Sequence, residues 1–225
     1  MVYGNYKILD KIENRFGRRS PQNLISYIVG AMAIVYVVNY IFLINNGVSL
    51  YSIMMFDRAA VFSGQVWRII SFIFLPPLEN LIIIIFALYF YWLIGSSLER
   101  KWGSFRFNLF YLLGIIGSIT AGFITGYTIN MYLNLSLFLA FAAVFPDFQI
   151  MLFFLVPVKA KWLAWAACIY LVYAFIMNSW SLRAAIITSL INIIIFFGTD
   201  YFRYAKYRLN HFKYKLATKS HQKRR

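Results

Sequence analysis

The chain has 225 residues, of which 62% are hydrophobic, 20% aromatic and only 13% charged, with 22 Lys and Arg against 7 Asp and Glu. That balance excludes an ordinary water-soluble domain, because too little polar surface remains to cover a globule of this size. The net charge of +15 points to anionic headgroups beside a bilayer and not to nucleic acid, since the basic tail does not interleave aromatic and basic residues in a strand-binding pattern.

A hydrocarbon core about 30 Å thick needs roughly 20 apolar residues per helical crossing. Six runs approach that length: Leu24 to Ile44, about Leu78 to Leu98, Phe105 to Tyr127, about Ile129 to Phe145, Lys161 to Met177 and Leu182 to Phe202. The expected fold is therefore all-α, a polytopic bundle of six transmembrane helices over residues 24–202. It is flanked by a basic N-terminal segment (1–23) and a basic tail (203–225). Arg15, Arg18 and Arg19 precede the first run without a small-residue cleavage site, so the run reads as an anchor and not a signal peptide.

Charge tests this count. With six crossings, 19 of the 22 Lys and Arg fall on one side, in the N-terminal segment, the loops after helices two and four, and the tail. Only Arg58, Arg68 and Arg183 fall on the other. By the positive-inside rule both termini are then cytoplasmic. The absence of a retention signal points to a bacterial plasma membrane.

After the first helix, Leu50 to Pro77 mixes Asp57, Arg58, Gln65 and Arg68 with apolar residues and reads as an interfacial or partly embedded loop. Within it, Trp67-Arg68 alone reads as an interfacial aromatic beside a snorkelling cation. Helix two ends in "GSSLERKWGSFRF", where Glu99 and Arg106 are expected to pair or cap at the cytoplasmic ends of helices two and three. In helix three, Gly114, Ser118, Gly122 and Gly126 recur every fourth position and so share one face. Tight packing inside the domain is favoured there over a dimer seam.

The stretch "FQIMLFFLVPVKAKW" after Pro146-Asp147 is expected to lie along the inner interface before Lys159, Lys161 and Trp162 anchor helix five. The single cysteine, Cys168, is expected to be a buried packing residue. Both histidines, His211 and His221, lie in the tail, so the apolar body contains no imidazole to serve as a general base near neutrality. Its few acids are scattered, which leaves no metal site and no cofactor expected. No charge sits in the middle of a crossing, so little supports a transporter or channel.

The six-helix layout, the long outer loop with Gly64-x-x-Trp67-Arg68, the Gly95-x-x-Leu98-Glu99 ending of helix two and the following Arg100, Gly103 and Arg106 resemble the rhomboid superfamily over roughly residues 24–202. That resemblance implies, for active members, a serine in a Gly-x-Ser-Gly motif at the start of helix four, a histidine in helix six, and a His and an Asn in helix two that stabilise the oxyanion. The chain departs at each position. Helix four has only Ser136, helix six has Thr188, Ser189 and Asn192 without a His, and Leu81 to Ala87 are wholly apolar.

"WRIISFIF", "LERKWGSFRF", "FPDFQIMLFFLVPVKAKWLAW" and "IIFFGTDYF" are similar to derlin segments. This likeness implies binding of transmembrane or misfolded membrane-protein clients with local bilayer thinning. No C-terminal segment recruits an extraction ATPase, so the derlin pathway itself is not implied. Asn134, Ser136, Thr188, Ser189 and Asn192 would then give a polar lateral groove for clients, or else satisfied hydrogen bonds between helices. The leading expectation is a non-catalytic pseudoprotease. The alternative is an intramembrane serine endopeptidase with a displaced nucleophile, Ser136. No residue pattern specifies an oligomeric state.

Overall fold

The computed structural model describes residues 13–15, 17, 20–77, 80–152, 156–177, 180, 183–184, 186–188, 190–194 and 196. The N-terminal helix α1 (Leu24–Asn46) is apolar around its whole circumference and stops at Gly47, whose φ of 66° supplies the left-handed cap that returns its N–H to Leu43 O. Short elements follow: α2 (Leu50–Met54), β1 (Phe56–Asp57), α3 (Arg58–Phe62) and α4 (Arg68–Ser71), then a 3-10 turn over Phe72–Phe74. Ser49 caps α2 by accepting from Tyr51 N, and Asp57 caps α3 by accepting from Ala59 N and Ala60 N.

Two long helices make a hairpin, α5 (Leu81–Trp102) and α6 (Ser104–Thr125). The second crossing thus begins and ends a few residues later than its apolar run suggests. Asn80 accepts from Ile83 N and fixes the start, while Gly103, at φ 84°, turns the chain in a single residue. After α6 come β2 (Tyr127–Thr128), the helix α7 (Met131–Val144), the strands β3 (Gln149–Leu152) and β4 (Val156–Lys159), and α8 (Ala160–Met177). A last helical stretch is described at 183–184, 186–188, 190–194 and 196. Asp200, the end of the sixth run and the tail lie outside the described residues.

Among the described residues four helices, Leu24–Asn45, Leu81–Trp102, Ser104–Thr125 and Ala160–Met177, are long and apolar enough to cross a membrane. The protein is an integral membrane protein of mostly helical structure, with apolar faces that suit lipid contact. Helix α7 differs from them. It has only 14 residues and is buried on two faces: Leu133, Leu137, Ala140 and Phe141 join the main core, while Tyr132 packs with Leu171, Ala174 and Ile186.

Two ends of the bundle are pinned differently. At one end the outer loop docks through Phe56, whose ring meets Phe123 edge-on at 5.1 Å and Phe72 at 6.3 Å. Gly122 makes room for it, since a Cβ there would lie 2.6 Å from the Phe56 ring. Beside it β1 and β2 pair antiparallel, Phe56 opposite Thr128. Asn130 then ties the loop to the start of α7 by donating to Ile73 O at 3.0 Å and Leu75 O at 2.7 Å.

The opposite, basic end carries the α5–α6 turn. The stretch after Pro146 forms an antiparallel hairpin, β3 with β4, in the register Gln149–Lys159, Ile150–Val158, Met151–Pro157 and Leu152–Val156. Ile150, Val156 and Val158 suit extended backbone, and the strands pair just after Pro146 follows the end of α7. The root is closed by Ala160 N donating to Phe148 O and Lys161 N to Pro146 O.

Asp147 accepts from Lys161 Nζ at 2.9 Å and Lys159 Nζ at 3.4 Å. These cations, Lys161 foremost, hold its carboxyl below the usual carboxylate range.

Cys168 is exposed on α8 and not buried in a core. Only Ala160, Leu171 and Ala174 of that helix are buried, so most of its surface is left for lipid.

Gly122→Val should lower stability by about 1–3 kcal/mol, because the Phe56 ring has nowhere to move without unseating β1. Gly30→Ala, where a Cβ meets nothing within 4 Å, should be neutral or stabilising, and denaturation in mixed micelles compares the two.

The Asp147 network has a depressed folded-state pKa, so its stabilisation is present above the ordinary value of 3.8 and is lost as pH falls through the lower folded value. Asp147→Asn should therefore lower the thermal midpoint slightly at neutral pH, with the gap to wild type closing in strong acid.

Candidate functional site

Of the residues expected to form a groove, Thr188 and Asn192 come against α6, where Leu133 of α7 also approaches. Gly114 and Gly117 of α6 permit this approach. A Cβ at Gly114 would lie 2.4 Å from Leu133 Cδ1 and 3.0 Å from Asn192 Nδ2, and one at Gly117 would lie 2.4 Å from Thr188 Cγ2. Phe196 reinforces the seam, stacking on Trp102 at 5.8 Å and meeting Phe110 edge-on at 5.1 Å.

Within this layer the polar groups turn inward. Ser136 is 1% exposed and its hydroxyl donates to Leu133 O of its own helix at 2.7 Å. Thr188 donates to Ala184 O at 2.7 Å. Asn192 is 3% exposed and donates to Phe110 O at 3.2 Å. Asn134 is buried beside the Tyr91 hydroxyl. Ser189 lies outside the described residues.

Asn134, Ser136 and Asn192 are therefore buried side chains and not the lining of an open groove. The physical cause is twofold: hydroxyls away from water fold back on carbonyls one turn earlier, and the glycines let neighbouring backbones shut the gap. Two buried atoms in this region, Tyr111 OH and Asn192 Oδ1, have no hydrogen-bond partner. Gly117, Tyr91 and Tyr111 escaped the sequence reading. Gly114-x-x-Gly117 spacing was the available signal for the first, and nothing marks the tyrosines among 17 in the chain.

The motif residues act as staples. Arg68 does not snorkel: it is 8% exposed, donating from Nη1 to Ser52 O at 2.8 Å and Met55 O at 2.9 Å and from Nε to Gln65 Oε1 at 2.7 Å. Trp67 donates from its indole to Ile53 O, and Gly64 supplies a φ of 103°. Arg58 and Arg183, at the same end, donate to Phe123 O and Ile176 O. All three of these arginines thus sit on carbonyls near the C-terminal ends of helices, where the dipole favours a cation.

At the basic end Glu99 and Arg106 do not pair with each other. Glu99 accepts from Asn23 N at 2.7 Å and Ser104 Oγ at 2.8 Å, and so serves the start of α1, where Asn23 gives no side-chain cap. Arg106 pairs with Glu13 at 2.9 Å. Arg100 reaches only Ser97 Oγ, at 3.4 Å, on an exposed surface. Gly95 admits Ile25, whose Cγ1 would lie 2.4 Å from a Cβ there. Of the four-residue stripe, Ser118 donates back to Gly114 O, while Gly126 lies past the end of α6 as its cap with φ 102°.

Among the described residues no group of three His, Cys, Asp or Glu could hold a metal. A comparison with family models finds no match, and a comparison with curated proteins finds none.

Arg68→Ala should destabilise the protein by about 1–3 kcal/mol, since it leaves the part-buried carbonyls of Ser52 and Met55 without their donor. Because those carbonyls belong to the outer loop, limited proteolysis of intact liposomes should detect cleavage between residues 50 and 77 in the variant before global unfolding.

Proposed function

We propose that this chain is a rhomboid-like, six-crossing membrane protein without a Ser/His dyad that binds transmembrane or misfolded membrane-protein clients where the bilayer is thinned. The observation that carries this reading is α7. Its 14 residues span about 21 Å at 1.5 Å per residue, against a hydrocarbon core of about 30 Å. Apart from Met131 at its exposed start, α7 is enclosed by its neighbours, so the mismatch acts on lipid there, where a thinner bilayer lowers the penalty for a client segment that is short or polar.

The order of the short motifs along the chain, the derlin-like segments and the staple roles of Arg68 and Glu99 support the same reading. The basic end is then cytoplasmic, with both termini there, and the membrane is a bacterial plasma membrane.

Clients meet the lipid-exposed flanks of the seam and not its buried amides. Met131 at the start of α7 is 45% exposed and Ile191 is 47% exposed. A photocrosslinker at either position should capture transmembrane segments of other proteins in native membranes, and recovery of lipid alone from both would sink the proposal. For the peptidase alternative, Ser136 has its hydroxyl engaged and buried. Reconstituted protein offered a transmembrane substrate should show no Ser136-dependent cleavage; cleavage abolished by Ser136→Ala would replace this proposal with the alternative.

A further inference from the structure

The β3–β4 hairpin has a composition that its position must explain. From Ile150 to Val158 every residue is apolar. A two-stranded hairpin has little stability of its own in water, and an exposed apolar strand pair is an aggregation template. Ile150 is buried against the bundle, and its cross-strand partner is Val158. The next pair, Met151 with Pro157, is exposed, Met151 by 53%. One face of the hairpin is thus covered by protein while the other presents apolar side chains outward.

We propose that this outward face lies against lipid in the headgroup-to-acyl boundary of the leaflet at the basic end. Three observations select lipid as the occupant. First, β4 runs into α8, a candidate membrane span, with no residue between Lys159 and Ala160, so the apolar face is continuous with a lipid-facing helix. Second, the polar groups collect at the root, where Gln149 opposes Lys159, Asp147 holds Lys159 and Lys161, and Trp162 is exposed. That order, charged and aromatic at the root and apolar beyond, is the signature of a segment entering the interface. Third, Phe148 of the root packs edge-on to Phe141 of α7 at 5.3 Å, so the hairpin is held against the end of an apolar helix of the bundle.

The hairpin has two open edges, whose N–H and C=O groups cannot be left in hydrocarbon. It therefore lies at the boundary, roughly 5–10 Å in, where water and headgroups still reach the backbone. This placement goes beyond the client reading and does not depend on it.

The test uses the full chain in liposomes of neutral and anionic phospholipids without any client, so it stands or falls apart from client binding. In a Cys168→Ser background, Met151→Cys and Pro157→Cys are labelled separately with an environment-sensitive dye, with Gln22→Cys as an exposed control at the same end. Met151 and Pro157 should both show blue-shifted emission, quenching by shallow acyl-chain nitroxide lipids and loss of iodide quenching, at matching depths because they are cross-strand partners. Iodide quenching equal to that at Gln22 would overturn the proposal. Protection that rises with the protein-to-lipid ratio would overturn it too, since a second copy would then be the occupant. Two label sites keep the outcome readable if one variant misfolds.

Discussion

Below the headgroups no water is present to take up an unused donor or acceptor, and this constraint organises the molecule. Ser118, Thr120, Ser136 and Thr188 return their hydroxyls to carbonyls three or four residues earlier. Asn39 of α1 accepts from Ser49 Oγ and Leu50 N, which turns the helix end into the outer loop without an exposed amide. Irregular backbone at membrane depth is tolerable only where protein supplies the partners. Arg68 and Asn130 do so for the outer loop, between them engaging the carbonyls of Ser52, Met55, Ile73 and Leu75.

The same constraint decides how the ends are built. Away from the basic end, cations find helix carbonyls; at the basic end, carboxylates are available, and Glu13, Glu99 and Asp147 take their partners there. The asymmetry leaves the loop end rigidly docked through Phe56 and Gly122, with rings in edge contact. Tyr51 adds to it by donating to Pro76 O, and burial pushes its hydroxyl pKa upward, so the donor persists at any physiological pH.

For function, closure of the seam matters more than the polar residues it contains. An amide buried at 3% exposure, as in Asn192, presents nothing to a passing helix, so under the proposed client reading recognition would fall to the lipid-exposed surfaces beside the seam. The Gly114 and Gly117 contacts make that seam narrow, and they link α6, α7 and the last helical stretch into one layer.

The apolar runs located the long helices to within a few residues, because a bilayer dictates their length. The caps at Ser49, Asp57 and Asn80 and the turn at Gly103 set the helix ends by local chemistry that the apolar runs do not mark.

Partner choice was not readable. Glu99 serves Asn23 across 76 residues and Arg106 finds Glu13 across 93, pairings that depend on how helices cross. Nor did nine consecutive apolar residues, Ile150 to Val158, carry a period that separates a strand pair from an interfacial segment.

Composition alone determined that the chain lives in a membrane and roughly where it crosses. Only the tertiary structure decided which apolar and polar residues face protein. Cys168 and Met151 proved exposed while Ser136 and Asn192 proved buried, because in a bilayer the solvent is as apolar as the core and hydrophobicity no longer tells inside from outside.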